Sequence, residues 1–283
     1  MSIFRYPGGK SKPNVQTIVL SHAPEHFSSY REPFVGGGGI FDAIPCGKER
    51  WINDKNVHLM AVYLALQNRP REFINLCRQI MPAQPGEPEV KTAGGTVYPK
   101  RLYEFFYQLR DNPNADLALR FFFINRTSYW GRVVLDGNRV KRTMFSNPAG
   151  WNIVNTDQLE RTAEHLKDAK ITCGDYDQLF TAPGTDPWIY VDAPYVRDTL
   201  LPKSAKLYQH GFEMQDHRRL AEVSHRCPHK ICLSYDDCPL IRELYRGMFI
   251  HPVTWKYCGT SLAKKVEGQE LLITNYPIVH ANI

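Results

Sequence analysis

Apolar and polar positions alternate along this chain in two regimes. In the first, short apolar runs are separated by helical stretches. Pro13 is suited to the first turn of a helix that continues to Leu20. Residues 30–35 read as a strand running into Gly36-Gly37-Gly38-Gly39, with a helical Ile40-Phe41-Asp42-Ala43 behind it. Arg50-Trp51-Ile52-Asn53-Asp54 is a second strand, followed by a helix over 56–67. From about residue 69 to 155 the alternation stops. A helix over 71–80 is followed by a Pro- and Gly-rich stretch over 82–99 that reads as a surface loop. Leu102, Tyr103, Phe105, Phe106 and Leu109 then fall at helical spacing, as do Leu117, Leu119, Phe121 and Phe122, the core of a small helical module. Asp136-Gly137 between β-formers predicts a hairpin. Alternation resumes with a helix over 156–166 and strands over 169–173 and 188–191. A helix over 214–226, a strand over 230–234, a helix over 239–246 and strands over 248–255 and 270–275 follow. The pattern is that of an α/β sheet with an antiparallel edge hairpin at its end. The sheet domain is expected from 1–56 and 156–283, with an inserted helical and hairpin module over 57–155.

Composition narrows this picture only modestly. The 283 residues suffice for one large α/β domain carrying an insertion. No run of eighteen apolar residues is present, so no membrane span is expected. The first six residues lack the apolar core of a signal peptide. Seven scattered cysteines argue for a reducing compartment, the cytoplasm. Cys227, Cys232 and Cys238 lie near His225 and His229 but lack Cys-x-x-Cys spacing, so no metal site is expected. The net charge of +6 is compatible with a polyanionic partner.

The chemistry centres on Trp188-Ile189-Tyr190-Val191-Asp192-Ala193-Pro194-Tyr195, a buried strand that ends in a carboxylate, a stiff turn and an aromatic ring. In an open α/β sheet, ligands bind beyond the carboxyl ends of the strands. Asp192 and the Ala193 carbonyl offer two acceptors to one amino group, with the Tyr195 ring as a stacking face. That set suits an exocyclic amine on a flat heterocycle, although an ordinary Asp-x-Pro turn fits the same residues. Tyr6-Pro7-Gly8-Gly9-Lys10-Ser11 is not a phosphate loop, because Phe4 stands where its first glycine belongs. Its glycines still permit close backbone approach, flanked by a ring and an ammonium. Gly36 and Gly38 likewise admit an adenosyl ligand. Asp54, 18 residues beyond Gly36, falls close to the spacing of an acid that holds a ribose diol, and also of a helix cap. Asp175 and Tyr176 follow a strand end and are placed to meet an adenine edge and face. Arg126, Arg132, Arg139, Lys141 and Arg142 interleave with Tyr129 and Trp130 around the hairpin. Such a ribbon fits a DNA groove, with its aromatics as wedges; a solvated hairpin with routine charges is the alternative.

In this order the pieces resemble the Dam-type family of N6-adenine DNA methyltransferases. Tyr6-Pro7-Gly8-Gly9-Lys10, Pro33-Phe34-Val35-Gly36-Gly37-Gly38, Asn53-Asp54-Lys55-Asn56 and Asn125-Arg126-Thr127-Ser128-Tyr129 match family elements. So do Gly174-Asp175-Tyr176, Asp192-Ala193-Pro194-Tyr195 and Leu271-Leu272-Ile273-Thr274-Asn275-Tyr276. The resemblance implies a Rossmann-like, S-adenosylmethionine-dependent methyltransferase sheet with a target-recognition insertion. It implies double-stranded DNA as substrate, with the target adenine flipped out to receive the methyl group at N6. Asp192, Ala193, Pro194 and Tyr195 then carry catalysis. Tyr6, Lys10, Phe34, Gly36, Gly38, Asp54, Asp175, Tyr176 and Asp192 hold the cofactor. The basic and aromatic hairpin residues hold DNA. A monomer, bacterial or phage-encoded and with a cognate restriction endonuclease as further partner, accords with the resemblance. Ala193 stands where the family turn has its first proline, and Trp130 where a smaller polar residue is usual. Alternatives are a catalytically silent DNA-binding homologue and an N-methyltransferase acting on RNA or a protein amide. Methylation of the cytosine ring is set aside, because Pro45-Cys46 is not at a catalytic strand.

Overall fold

The computed structural model describes residues 3–5, 10–136, 139–141, 143–146, 148–152, 156–196, 212–256 and 267–278. In chain order the elements are α1 (Pro13–Leu20), β1 (Ser29–Glu32), β2 (Glu49–Asp54), α2 (Val57–Asn68), α3 (Pro70–Gln79), β3 (Glu89–Lys91), β4 (Val97–Pro99), α4 (Lys100–Asp111) and α5 (Leu117–Thr127). They continue as β5 (Leu135–Asp136), β6 (Arg139–Val140), α6 (Ala149–Asn152), α7 (Thr156–Leu166), β7 (Ala169–Cys173), α8 (Asp177–Thr181) and β8 (Pro187–Val191). The last are α9 (Met214–Arg226), β9 (Lys230–Asp236), α10 (Pro239–Leu244), β10 (Phe249–Lys256) and β11 (Glu267–Thr274). The chain divides into two compact units. One comprises Met1, 8–56 and 168–283, and the other 2–7 and 57–167. The boundary near 167 lies one helix later than the point where alternation resumes in the sequence.

The first unit is built on a seven-stranded sheet in the order β10-β11-β9-β8-β1-β2-β7. Five strands are parallel, and β11 runs antiparallel to both β9 and β10. The terminal hairpin is therefore not wholly at the edge: β11 is interior and only β10 is exposed to one side. All five residues of β8 are buried, as expected of a parallel strand covered on both faces. Trp188 packs against Phe27 and Tyr30, with centroids 5.1 and 5.5 Å apart. Burying large side chains of this kind contributes about 1.5–3 kcal/mol each. Strand order reverses between β1 and β8, so their carboxyl ends flank a topological switch point. The helix expected after the glycine run is a single 3-10 turn, Phe41–Ala43. Pro45 disfavours helical backbone at Ile44, which is extended with ψ 125°.

The second unit is a helical module. Helix α2 packs on α3, α5 and α7, and α5 is buried at every position after Leu117. Phe122, Phe123 and Trp151 form its aromatic centre, and the Trp151 indole N–H donates to the Ile80 carbonyl at 2.8 Å. Asp116 caps α5 by accepting the Leu119 N–H at 2.8 Å. The 82–99 stretch is not all loop, since it folds back as the β3–β4 hairpin. Among the described residues no helix is long and apolar enough to cross a membrane.

Candidate active site

The loop after β1 is shaped by two glycines. Gly36 and Gly38 adopt φ of +46° and +69°, values that disfavour any residue with a Cβ. The Gly36 N–H donates to Asp54 Oδ2 at 3.0 Å, and the Asn56 N–H to Asp54 Oδ1 at 2.9 Å. Asp54 thus braces the glycine loop and the turn after β2 together. Burial pushes its carboxyl pKa up, against the pull of these N–H groups. Asn53 is fully buried and donates to the carbonyls of Pro33 and Gly174, both at 3.1 Å, joining the ends of β1, β2 and β7. Gly39 has a separate role. A Cβ there would lie 2.7 Å from the Lys10 carbonyl carbon and the Ser11 nitrogen, so its absence lets the 10–11 backbone pass.

Lys10 is buried beside the turn that follows β8. Its ammonium donates to the Tyr195 hydroxyl at 2.6 Å and to Glu270 Oε2 at 3.3 Å, and lies 3.3 Å from Asp192 Oδ1. The Tyr195 hydroxyl donates in turn to Glu270, and burial raises its pKa well above the ordinary tyrosine range. Ser234 Oγ donates to Asp192 Oδ1 at 2.7 Å. Among the described residues, both cationic and hydroxyl partners of Asp192 meet Oδ1, which leaves Oδ2 for a further donor. Ala193 and Tyr195 are buried, while Asp192 and Pro194 keep partial exposure. The ring of Tyr195 packs toward Tyr235 at 6.0 Å.

On the other side of the switch point, half-buried Phe34 meets Tyr176 at 5.1 Å and Phe212 at 5.6 Å between ring centroids. These three rings form an apolar wall. Tyr176 is itself buried, so its contribution is packing more than an open stacking face. Asp175 is exposed and held bidentately by Arg219 at 2.9 and 3.0 Å. Partial burial pushes its carboxyl up, but the Arg219 bonds outweigh this and leave the pKa below the usual aspartate value.

The second unit holds the basic and aromatic candidates. Asn125 is buried and acts as a clamp. Its Nδ2 donates to the Arg5 and Gly131 carbonyls at 3.0 and 2.8 Å, and its Oδ1 accepts the Arg5 N–H at 2.9 Å. Gly131 has φ +70°, and a Cβ there would lie 2.1 Å from the Arg5 carbonyl oxygen. An isolated antiparallel bridge pairs Ser128 with Phe145, the neighbours in sequence of Tyr129 and Met144. Tyr129 and Met144 are exposed, by 65% and 68%, an unusual placement for two large apolar groups. Arg132 and Lys141 are exposed nearby in sequence.

Arg126 departs from the sequence expectation. It is 8% exposed, and its guanidinium donates to the Gly150 and Ile3 carbonyls at 3.0 and 3.1 Å. Burial, with Arg5 close by, lowers its pKa to about 10. Its donors hold the module together and do not face outward. Tyr6 and Arg142 lie outside the described residues, and for Trp130 and Arg139 the side chains do.

Sequence reasoning missed Glu270, Ser234, Glu32 and Met144. Glu32 is buried and accepts from the Tyr30 hydroxyl at 2.6 Å, and burial pushes its carboxyl well above the usual range. The signal for both acids was present: a lone carboxylate beside an apolar strand run asks for a buried partner.

A mainly parallel sheet in this order, with a glycine loop and an acid at its switch point, defines the Rossmann-like methyltransferase class. The chain belongs to the D12 class of N6 adenine-specific DNA methyltransferases, whose family model matches residues 6–258. It is similar to the Type II methyltransferase M1.LlaDCHI of Lactococcus lactis subsp. cremoris, 22% identical across 96% of this chain and 94% of the relative. It is also similar to the Type II methyltransferase M.MjaIII of Methanocaldococcus jannaschii, at 27% identity over 96% and 98% of the two chains. The protein is thus a DNA adenine methyltransferase, and its reaction requires a methyl donor.

Proposed function

We propose that this enzyme moves the methyl group of S-adenosylmethionine to N6 of an adenine flipped out of double-stranded DNA. The observation that carries the reading is the Asp192 carboxylate at the end of the central strand, tied through Oδ1 with Oδ2 left over. An adenine amino lone pair is delocalised into its ring and is a poor nucleophile. Hydrogen bonds from its two N–H groups to Asp192 Oδ2 and to the Ala193 carbonyl localise that pair on nitrogen. Asp192 acts by orientation and charge, and need not remove a proton before attack. The Tyr195 hydroxyl is committed to Lys10 and Glu270, so its ring is what remains for a bound base.

The residues present fit the donor. Gly36 and Gly38 allow close backbone approach, and Asp54 is an acceptor for a ribose diol. The Phe34, Tyr176 and Phe212 wall suits an adenine ring. When bound, S-adenosylmethionine supplies the electrophilic sulfonium methyl. Asp175, with Arg219 attached, is the polar group beside that wall.

For DNA, exposed Arg132 and Lys141 meet phosphates, and the exposed Tyr129 and Met144 side chains suit an opened base stack. Trp130, Arg139 and Arg142 extend this set from the sequence. The Type II names of the relatives accord with a modification enzyme that accompanies a restriction endonuclease, and a monomer acting in the cytoplasm completes the reading. The test is transfer of labelled methyl to mixed-sequence duplex DNA, followed by digestion to nucleosides. Label in N6-methyladenosine is the expected result. No label, with DNA and donor both bound, would mark a silent homologue, and label in RNA or protein alone would overturn the substrate.

A further inference from the structure

The turn 192–195 contains one proline; Pro194 fixes its own φ and disfavours helical backbone at Ala193, but leaves the φ of Ala193 itself without a ring to fix it. Stiffness has to come from elsewhere, because reacting groups displaced by about 1 Å cost on the order of 100-fold in rate. Side chains outside the turn hold it and the residue that follows it. Ser234 on β9 donates to Asp192 Oδ1 at 2.7 Å, and Asp236 on β9 accepts the Val196 N–H at 3.0 Å. Glu270 on β11 accepts from the Tyr195 hydroxyl and from Lys10. Glu270 and Asp236 are register partners across the β9–β11 ladder, so the two acids stand at one level of the sheet.

Glu270 is fully buried, at 0% exposure. A carboxylate in that position is costly unless paired, and Lys10 is the cation that pairs it. Lys10 also lies against Asp192, so one ammonium ties the first and last residues of the turn to one carboxylate. Gly39 is what allows the Lys10 backbone to come this close.

We propose that Glu270 is a positioning residue for methyl transfer, acting through Lys10 and Tyr195 to hold the turn in place of a restraint at residue 193. The proposal rests on the methyltransferase reading above. Among the described residues the Ala193 N–H has no hydrogen-bond partner, so Ala193→Pro adds restraint without removing a bond.

The experiment compares the unaltered protein with Glu270→Gln, Ala193→Pro and the double variant. It reads amide hydrogen exchange over 190–196 together with kcat and KM for labelled methyl transfer to duplex DNA. Glu270→Gln is expected to speed exchange at the turn by roughly 5-fold or more and to lower kcat by about 10- to 100-fold. KM for donor and DNA should stay within about 2-fold. Adding Ala193→Pro should restore protection and recover a substantial part of kcat, which a merely structural role for Glu270 would not predict. Unchanged exchange and kcat in Glu270→Gln would overturn the proposal, as would a loss that Ala193→Pro does not restore. If Glu270→Gln does not fold, Tyr195→Phe removes the tethered hydroxyl without burying a new group. It must then show faster exchange at 190–196 for the proposal to stand. If the unaltered protein transfers no methyl, the methyltransferase reading fails while the exchange comparison still decides the tether.

Discussion

Asp192 carries two partners on Oδ1, and the two oxygens of its carboxylate are therefore unequal. Asp192→Asn replaces one oxygen with an amide that can face either Lys10 or the substrate amine, and both placements lose an acceptor. Transfer should fall by roughly 10²–10³-fold in kcat while donor affinity changes little, checked by single-turnover kinetics beside equilibrium binding. A large loss of donor affinity alone would remove Asp192 from the chemistry. Asp54 gives a pH signature. Burial raises its carboxyl pKa, so the acceptor form is complete only above that raised value and is lost as pH falls through it. Donor affinity should therefore weaken at a higher pH than an ordinary aspartate would produce, and Asp54→Asn should lower affinity and abolish that acid limb. A binding titration across pH 4–8 decides.

Among the elements, helix α5 and the segment after it divide basic residues by task. Arg126 is inside, bonded to two carbonyls, whereas Arg132 and Lys141 are outside. Arg126→Ala removes the guanidinium donors to those carbonyls and leaves a cavity, and should cost about 2–4 kcal/mol, read in thermal or denaturant unfolding. Lys141→Ala should leave stability within about 0.5 kcal/mol and weaken DNA binding several-fold. The opposite pattern would exchange their roles. Sequence could not separate these arginines. Arg126 lies in the last turn of the aromatic-rich helix and Arg132 just beyond it, and only the Gly150 and Ile3 carbonyls, brought in from distant parts of the chain, tie one of them inside. The 3-10 turn at Phe41–Ala43 is a similar case, since the local apolar pattern is helical and the following proline decides the length.

For the whole molecule, a net charge of +6 implies that part of the DNA affinity is counterion release. Binding should fall linearly in log–log form with salt, and removing Arg132 and Lys141 together should make the slope shallower by about 2. An unchanged slope would mean that neither meets a phosphate. The sequence by itself determined the α/β class, the order along the chain of the strands that make the main sheet, the glycine loop with its spaced acid, and the strand that ends at Asp192. These follow from local periodicity and from residue types that only certain backbones tolerate. Gly36 and Gly38 were legible because positive φ selects glycine; Gly39 was not, because its reason is a distant backbone. What only the tertiary structure decided is which residues face one another. The placement of β11 between β9 and β10 brings Glu270 to Lys10 and Tyr195, a pairing 260 positions apart in the chain for Lys10 and Glu270. Burial of Arg126 and exposure of Tyr129 and Met144 arise in the same way. Periodicity reports which face of an element is apolar, but the partner across that face is chosen by packing of the whole chain.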